Sequence, residues 1–169
     1  MSIFDKPTNI NFFKPTSFRF ICTALPESEF YCQGVTLPGV SINEIPIATP
    51  LNPHYKSGDR VLYDEFVIQI IIDEDMKNFI EIHDWIVGLG KPQTTEQFAK
   101  REKLGLDTTG VLSILSNASN VTVEYHFNGL WPKAITTLDL AITDPDPATV
   151  IASVSFQYNY YEIKQIKQS

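Results

Sequence analysis

Val150-Ile-Ala-Ser-Val-Ser-Phe-Gln-Tyr-Asn-Tyr-Tyr161 is the stretch that decides the fold. Val150, Ala152, Val154, Phe156, Tyr158 and Tyr160 alternate with Ile151, Ser153, Ser155, Gln157, Asn159 and Tyr161, and a period of two sustained this long belongs to a strand. One face is apolar and the other mostly polar, so this strand borders a core on one side. Val121, Val123, Tyr125 and Phe127 alternate in the same way with Thr122, Glu124, His126 and Asn128. Phe66-Val-Ile-Gln-Ile-Ile-Ile72 is nearly apolar on both faces and β-branched, which predicts a strand at the sheet centre or one buried in an oligomer.

Outward from these strands the punctuation is regular. Turn-type clusters at 26–29, 38–39, 50–58, 88–92, 116–120, 129–133 and 144–147 separate segments of strand length. Residues 17–25 and 30–37 flank a short polar turn and read as a hairpin that would set Cys22 opposite Cys32. The stretch 49–64 has few apolar residues and reads as a long loop, a length that is often functional. One segment breaks the β pattern: over 74–89, Met76, Phe79, Ile80, Ile86 and Val87 recur at helical steps. Asp73-Glu74-Asp75 stand before it, and Gly88, Gly90 and Pro92 close it. A weaker helical stretch lies around 95–104. The fold class expected is therefore mainly β, an antiparallel sandwich or barrel with one flanking amphipathic helix.

The chain has 169 residues, 43% apolar and 12% aromatic, which suits one domain able to bury its own core. Its 13 Lys and Arg against 20 Asp and Glu give a net charge of −7, which disfavours gripping a phosphate backbone. No run reaches the 18 or so apolar residues of a membrane span, so no membrane anchor is expected. Two cysteines, Cys22 and Cys32, make no disulfide scaffold, and in a cytoplasm their thiols stay free.

Chemistry-bearing motifs do not stand out. His54, His83 and His126 show no paired ligand spacing, and Asp73-Glu74-Asp75 fits a helix start better than a cation loop, so no metal and no cofactor are expected. There is no nucleophile elbow, phosphate loop or dinucleotide fingerprint, and the expectation is not an enzyme. Trp85 and Trp131 read as buried anchors; a carbohydrate-binding sandwich with Trp131 and residues 158–161 as platforms is the alternative from another class.

Several stretches in succession resemble the tail tube protein family of contractile-tailed bacteriophages and related injection machines. They are Phe18-Arg-Phe to Gln33 followed by Leu37-Pro38-Gly39, then Ser57-Gly58-Asp59-Arg60 before an apolar strand. Asp73-Glu74-Asp75 with Trp85, then Gly129-Leu130-Trp131-Pro132, then the strand ending Tyr160-Tyr161-Glu162 complete the series. The resemblance runs over about 18–162. It implies a single tail-tube-like domain over 1–169, with an N-terminal extension at 1–16 and a C-terminal one at 163–169.

The resemblance further implies a non-enzymatic virion structural protein, assembled in the host cytoplasm. Its subunits would form a homo-oligomeric ring, a hexamer, stacked into the inner tail tube that conducts DNA at ejection. Its partners would be itself, adjacent tube or baseplate rings and the tail sheath, with DNA passing without specific binding. A tube-initiator or baseplate–tube junction ring is the alternative of the same fold. His54, Tyr55, Lys56, Asp59 and Arg60 are the candidate interface between rings or subunits. The uncharged Ser153, Ser155, Gln157 and Asn159 are candidates for the lumen, although periodicity does not say which strand face looks inward. Trp85, Gly129, Leu130, Trp131 and Pro132 are the family-like core motif.

Overall fold

The computed structural model describes residues 17–26, 31–48, 52–90, 94–96, 108–116, 118–138 and 149–166. In chain order the elements are β1 (Phe18–Cys22), β2 (Cys32–Thr36), β3 (Val40–Ile47), β4 (His54–Tyr63) and β5 (Phe66–Ile71). Then follow α1 (Lys77–Leu89), β6 (Thr108–Leu115), β7 (Val121–Ile135), β8 (Ile151–Gln157) and β9 (Tyr160–Gln165). The larger sheet runs β1-β6-β7-β8-β5-β2 with β9 also on β7, while β3 and β4 form a separate ribbon.

The long strand β7 turns this sheet into two layers. Its first part pairs antiparallel with β6 on one side and β9 on the other, whereas Trp131 to Ile135 pair with β8. Between the two parts Gly129 takes φ 66°, a left-handed conformation that bends the strand through a corner. Each layer then presents its apolar face to the other. Phe20 and Phe127 from one layer meet Phe66 and Phe156 from the other, with ring centroids 5.2 Å apart for Phe20–Phe66 and 4.4 Å for Phe66–Phe127. A Cβ at position 129 would lie 2.2 Å from Asn159 Nδ2 as well as needing the left-handed backbone. Gly129→Ala is therefore expected to cost about 1–3 kcal/mol in denaturant unfolding. Gly90→Ala, whose Cβ would meet Val87 O at an ordinary 3.5 Å, is the near-neutral comparison, and equal losses for the two would contradict the corner's role.

Most strands form where periodicity places them, but their partners differ from the local reading. The expected hairpin of 17–25 with 30–37 does not form: β1 pairs with β6 and β2 with β5, at opposite ends of the sheet order. The chain turns at once after Cys22, with Leu25 N–H donating to Cys22 O at 3.1 Å, too early for a turn centred near residue 27. Strand β5 is not central but lies between β8 and β2, with Phe66, Ile68 and Ile70 buried and Gln69 exposed. The deciding stretch becomes two strands, because a chain pairing with bent β7 must turn the same corner. Asn159 N–H donates to Asn128 O at 3.0 Å there. Alternation holds from Ala152 through Tyr158 and then slips, leaving Tyr160 exposed and Tyr161 half-buried. Strand β9 continues to Gln165, so Ile163, Lys164 and Gln165 pair with β7.

The helix starts later than the acidic cluster, at Lys77, with Met76 in left-handed backbone before it and no acidic residue in its first turn. Buried Asn78 joins it to the preceding strand: its Nδ2 donates to Ile71 O at 2.7 Å, and Oδ1 accepts from Phe79 N–H at 2.8 Å. Its buried face is Asn78, Ile82, Trp85 and Gly88, rotated from the expected stripe, and Ile80 is half exposed. Both stripes have helical spacing; the position at which β5 hands over the chain selects one of them. Most of the stretch 95–104 lies outside the described residues.

Cys22 and Cys32 are both free thiols, on β1 and β2. Burial pushes both pKa values up, that of Cys32 from 9.0 to about 11. Since the thiolate is the reacting species, native Cys32 should alkylate about a hundredfold more slowly near pH 8 than an ordinary thiol. Both should label fully once denatured without reductant; rapid native labelling would contradict the burial.

Candidate functional site

The stretch 49–64, expected as a loop, contains strand β4 and forms with β3 a ribbon standing off the sandwich. Thr36 lies opposite Val67 and Val40 opposite Tyr63, with Asp64 N–H donating to Gly39 O at 3.1 Å between them. All three pairings share one register. The β2–β5 edge pair and the ribbon are thus one long hairpin whose outer part leaves the core. The few apolar residues in β4 mark distance from a core rather than absence of a strand.

Midway along the ribbon the register shifts between Ile42 and Glu44, so that Asn43 stands against Gly58, Asp59 and Arg60. Asn43 Oδ1 accepts from Arg60 N–H at 3.2 Å and lies 2.2 Å from where a Cβ of residue 58 would be. Such bulges bend and twist a ribbon. On the body side of the bulge Val40, Ile42, Val61 and Tyr63 share a face; beyond it Ile45 and Ile47 lie on the face of Lys56 and His54. Val40, Ile42, Ile45, Ile47, Tyr55, Val61 and Leu62 are all at least 40% exposed, and they are half of the exposed large apolar side chains among the described residues. Isolated exposed apolar groups need no explanation, but a contiguous concentration marks a contact surface.

The candidate interface residues separate into two groups on this ribbon. His54, Tyr55 and Lys56 begin β4 at the far end, while Asp59 and Arg60 sit in the bulge, and all five are exposed. The apolar side chains beside them, Val40, Ile42, Ile45, Ile47, Val61 and Leu62, carry none of the polar chemistry by which a functional loop is recognised in sequence. The signal was present in Val40-Ser-Ile-Asn-Glu-Ile-Pro-Ile47, where apolar residues recur two apart on each side of Asn43.

On β8, Ser153, Ser155 and Gln157 point away from the core, opposite to Ala152, Val154 and Phe156. Their cross-strand partners are Gln69, Val67, Ala134 and Trp131, none of them charged, while Asn159 belongs to the corner beyond the strand. The outer face of the other layer is different: Arg19, Ser113, Glu124 and Lys164 form one cross-strand row. His126 stands opposite Glu162, with its Nε2 3.0 Å from Glu124 Oε2. Trp85 and Leu130 are fully buried and Pro132 is buried with them, as core anchors should be, and Gly129 forms the corner. Trp131, expected as a buried anchor, is only half-buried, because it alternates with buried Leu130 and Pro132 and stands opposite Gln157 on the face away from the core; Tyr158 is buried, so these aromatics and Tyr160 make no shared exposed platform for a sugar.

Among the described residues, no three His, Cys, Asp or Glu side chains are grouped as a metal would require. A shallow pocket between α1 and β5 is lined by Leu25, Ile68, Ile70 and Ile82, with Tyr31, Asn78 and Glu81. The Asn78 amide is already engaged with Ile71 and Phe79, so little polar chemistry converges there.

A sandwich that closes its own core yet carries a projecting ribbon of exposed apolar side chains presents a contact surface that its own core does not use. The chain belongs to the phage tail tube protein family, whose profile matches residues 21–164. It is 20% identical over 136 residues to the tail tube terminator protein of Enterobacteria phage T4, covering 79% of this chain and 76% of that one. Its fold is that of a chain of the anti-feeding prophage tube-terminating cap, with TM-score 0.68, 12% identity and coverage of 98% and 100% of the two chains. A chain of the sheath–tube complex of an extracellular contractile injection system superposes with TM-score 0.65 at 11% identity, covering 91% and 92%. The protein is thus a structural, non-enzymatic component of a phage tail or related contractile particle.

Proposed function

We propose that the chain forms closed rings that terminate the tail tube of a contractile particle. The observation that carries this reading is the match to the T4 tail tube terminator across three quarters or more of both chains. In this reading the ribbon, including His54, Tyr55, Lys56, Asp59 and Arg60, joins subunits or rings; a heterologous contact that closes on itself gives a ring, of six subunits as the family resemblance implies. The uncharged face bearing Ser153, Ser155 and Gln157 lines the lumen, where nothing holds the phosphates of passing DNA. The charged outer face of the other layer, with Arg19, Glu124 and Lys164, then looks toward the sheath.

A second reading, the repeating tube ring, draws on the nearly equal similarity to the sheath–tube complex, and a junction ring at the baseplate draws on a TM-score of 0.61 to an anti-feeding prophage baseplate chain. Cryo-electron microscopy of native particles separates the three. One ring at the tube end distal to the baseplate supports the terminator, a ring at every tube level supports the repeating tube, and one ring at the baseplate supports the junction. Particles of normal length and capping made without the chain would overturn all three.

A further inference from the structure

We infer that the Tyr158 hydroxyl is a latch that fixes the direction in which the β3–β4 ribbon leaves the sandwich. The chain enters and leaves the ribbon through residues 37–39 and 64–65. Pro38 falls opposite Glu65 in the shared register, between the last β2–β5 pair and the first β3–β4 pair, where the ladder is interrupted as the chain leaves the sandwich. The Asp64 N–H to Gly39 O bond, 3.1 Å, holds the two crossings together. The strands are close there, since a Cβ on Gly39 would lie 2.5 Å from Asp64 Oδ2. Two crossings joined by a single backbone bond make a hinge.

Tyr158 spans this hinge from the corner between β8 and β9. Its hydroxyl donates to Asp64 O at 2.8 Å, and its side chain is 4% exposed. The ring is hemmed in, 5.1 Å from Phe127 edge-on and 5.9 Å from both Tyr63 and Tyr161. Tyr63, the last residue of β4, is itself edge-on to Tyr161 at 5.4 Å. The corner of β7, the corner between β8 and β9 and the root of the ribbon therefore meet in one aromatic cluster. Burial, with the neighbouring Tyr161, Asp64 and Tyr63, raises the pKa of Tyr158, so its hydroxyl keeps its proton and stays a donor.

A second tie crosses the joint, between the Lys133 ammonium and the Glu65 carboxylate, but these side chains are 50% and 38% exposed. Exposed ion pairs contribute little, whereas a hydrogen bond from a buried, immobilised donor keeps its full directional effect. Tyr158 is thus the positioning residue of the ribbon. The use of a fixed direction rests on the assembly reading, because an arm already aimed at its partner docks without the cost of ordering it.

Tyr158→Phe removes the hydroxyl and keeps the ring. In residue-resolved hydrogen exchange of the soluble subunit, the Asp64 amide is expected to exchange about five- to tenfold faster, with amides of β5 to β8 unchanged. Spin labels at the exposed positions Lys56 and Thr109 should report a broader ribbon-to-body distance distribution in Y158F than in the wild type, and Lys133→Ala should leave it narrow. Unchanged Asp64 exchange with an unbroadened distribution would overturn the latch, as would equal broadening in K133A. A loosened ribbon with undiminished ring formation supports the latch and instead removes the ribbon from the interface proposed above.

Discussion

Trp85→Ala is expected to lower the melting temperature by about 6–20 °C. Trp85 is fully buried on α1, its ring centroid 6.4 Å from that of Phe156 on β8, so truncation leaves a void between helix and sheet. Large-to-small changes of this kind cost about 3–5 kcal/mol, and a domain of this size loses roughly 2–4 °C per kcal/mol. That is a large share of the roughly 5–15 kcal/mol by which domains are stable. Ile80→Ala on the same helix should cost under about 0.5 kcal/mol, since Ile80 is half exposed. Calorimetry on both variants tests the helix face itself: similar losses, or a larger one for Ile80, would mean that α1 presents the stripe first expected from the sequence.

Ile42→Asp combined with Val61→Asp is expected to abolish ring formation while leaving a folded subunit. The two residues are cross-strand partners on the body side of the bulge, 58% and 45% exposed, so the change leaves the core intact and costs the monomer only about 1 kcal/mol from facing like charges on the ribbon. In the proposed interface they would be desolvated, and two carboxylates facing each other in an apolar contact are costly. Central interface positions contribute about 2 kcal/mol or more each, so the concentration at half-assembly should rise by at least roughly a hundredfold. Tyr55→Ala with Arg60→Ala, nearer the tip and in the bulge, should weaken ring stacking less severely and leave the subunit soluble. Sedimentation velocity and negative-stain imaging read both effects. Rings of wild-type stability from the double Asp variant would place the interface elsewhere and leave the ribbon without a role.

The uncharged face of β8 was legible because Ala152, Val154 and Phe156 are apolar and Ser153, Ser155 and Gln157 are not, a contrast every strand beside a core must show. The ribbon was not legible as a ribbon. Its strand β4 carries His54, Tyr55, Lys56, Ser57, Gly58, Asp59 and Arg60, and a rule that equates polar with loop assumes each strand has a core to face. The rule misses a strand whose neighbours are one other strand and a prospective partner.

The identity of most strands and of the helix, the inward face of β8, the burial of Trp85 and the family resemblance came from sequence alone, because periodicity and local turn chemistry are carried by neighbouring residues. Tertiary structure decided who pairs with whom. β1 had an adjacent strand available and took β6, 86 residues or more along in chain pairs such as Thr23 with Thr109. The alternation of Phe18, Phe20 and Cys22 says which face is inward but names no partner. It likewise decided the corner at Gly129, which splits one alternating stretch into β8 and β9, and the rotation of α1 that buries Asn78 and exposes Ile80. Register, corners and helix rotation depend on contacts between residues distant in the chain, and a one-dimensional pattern compatible with several such contacts cannot choose among them until the core closes.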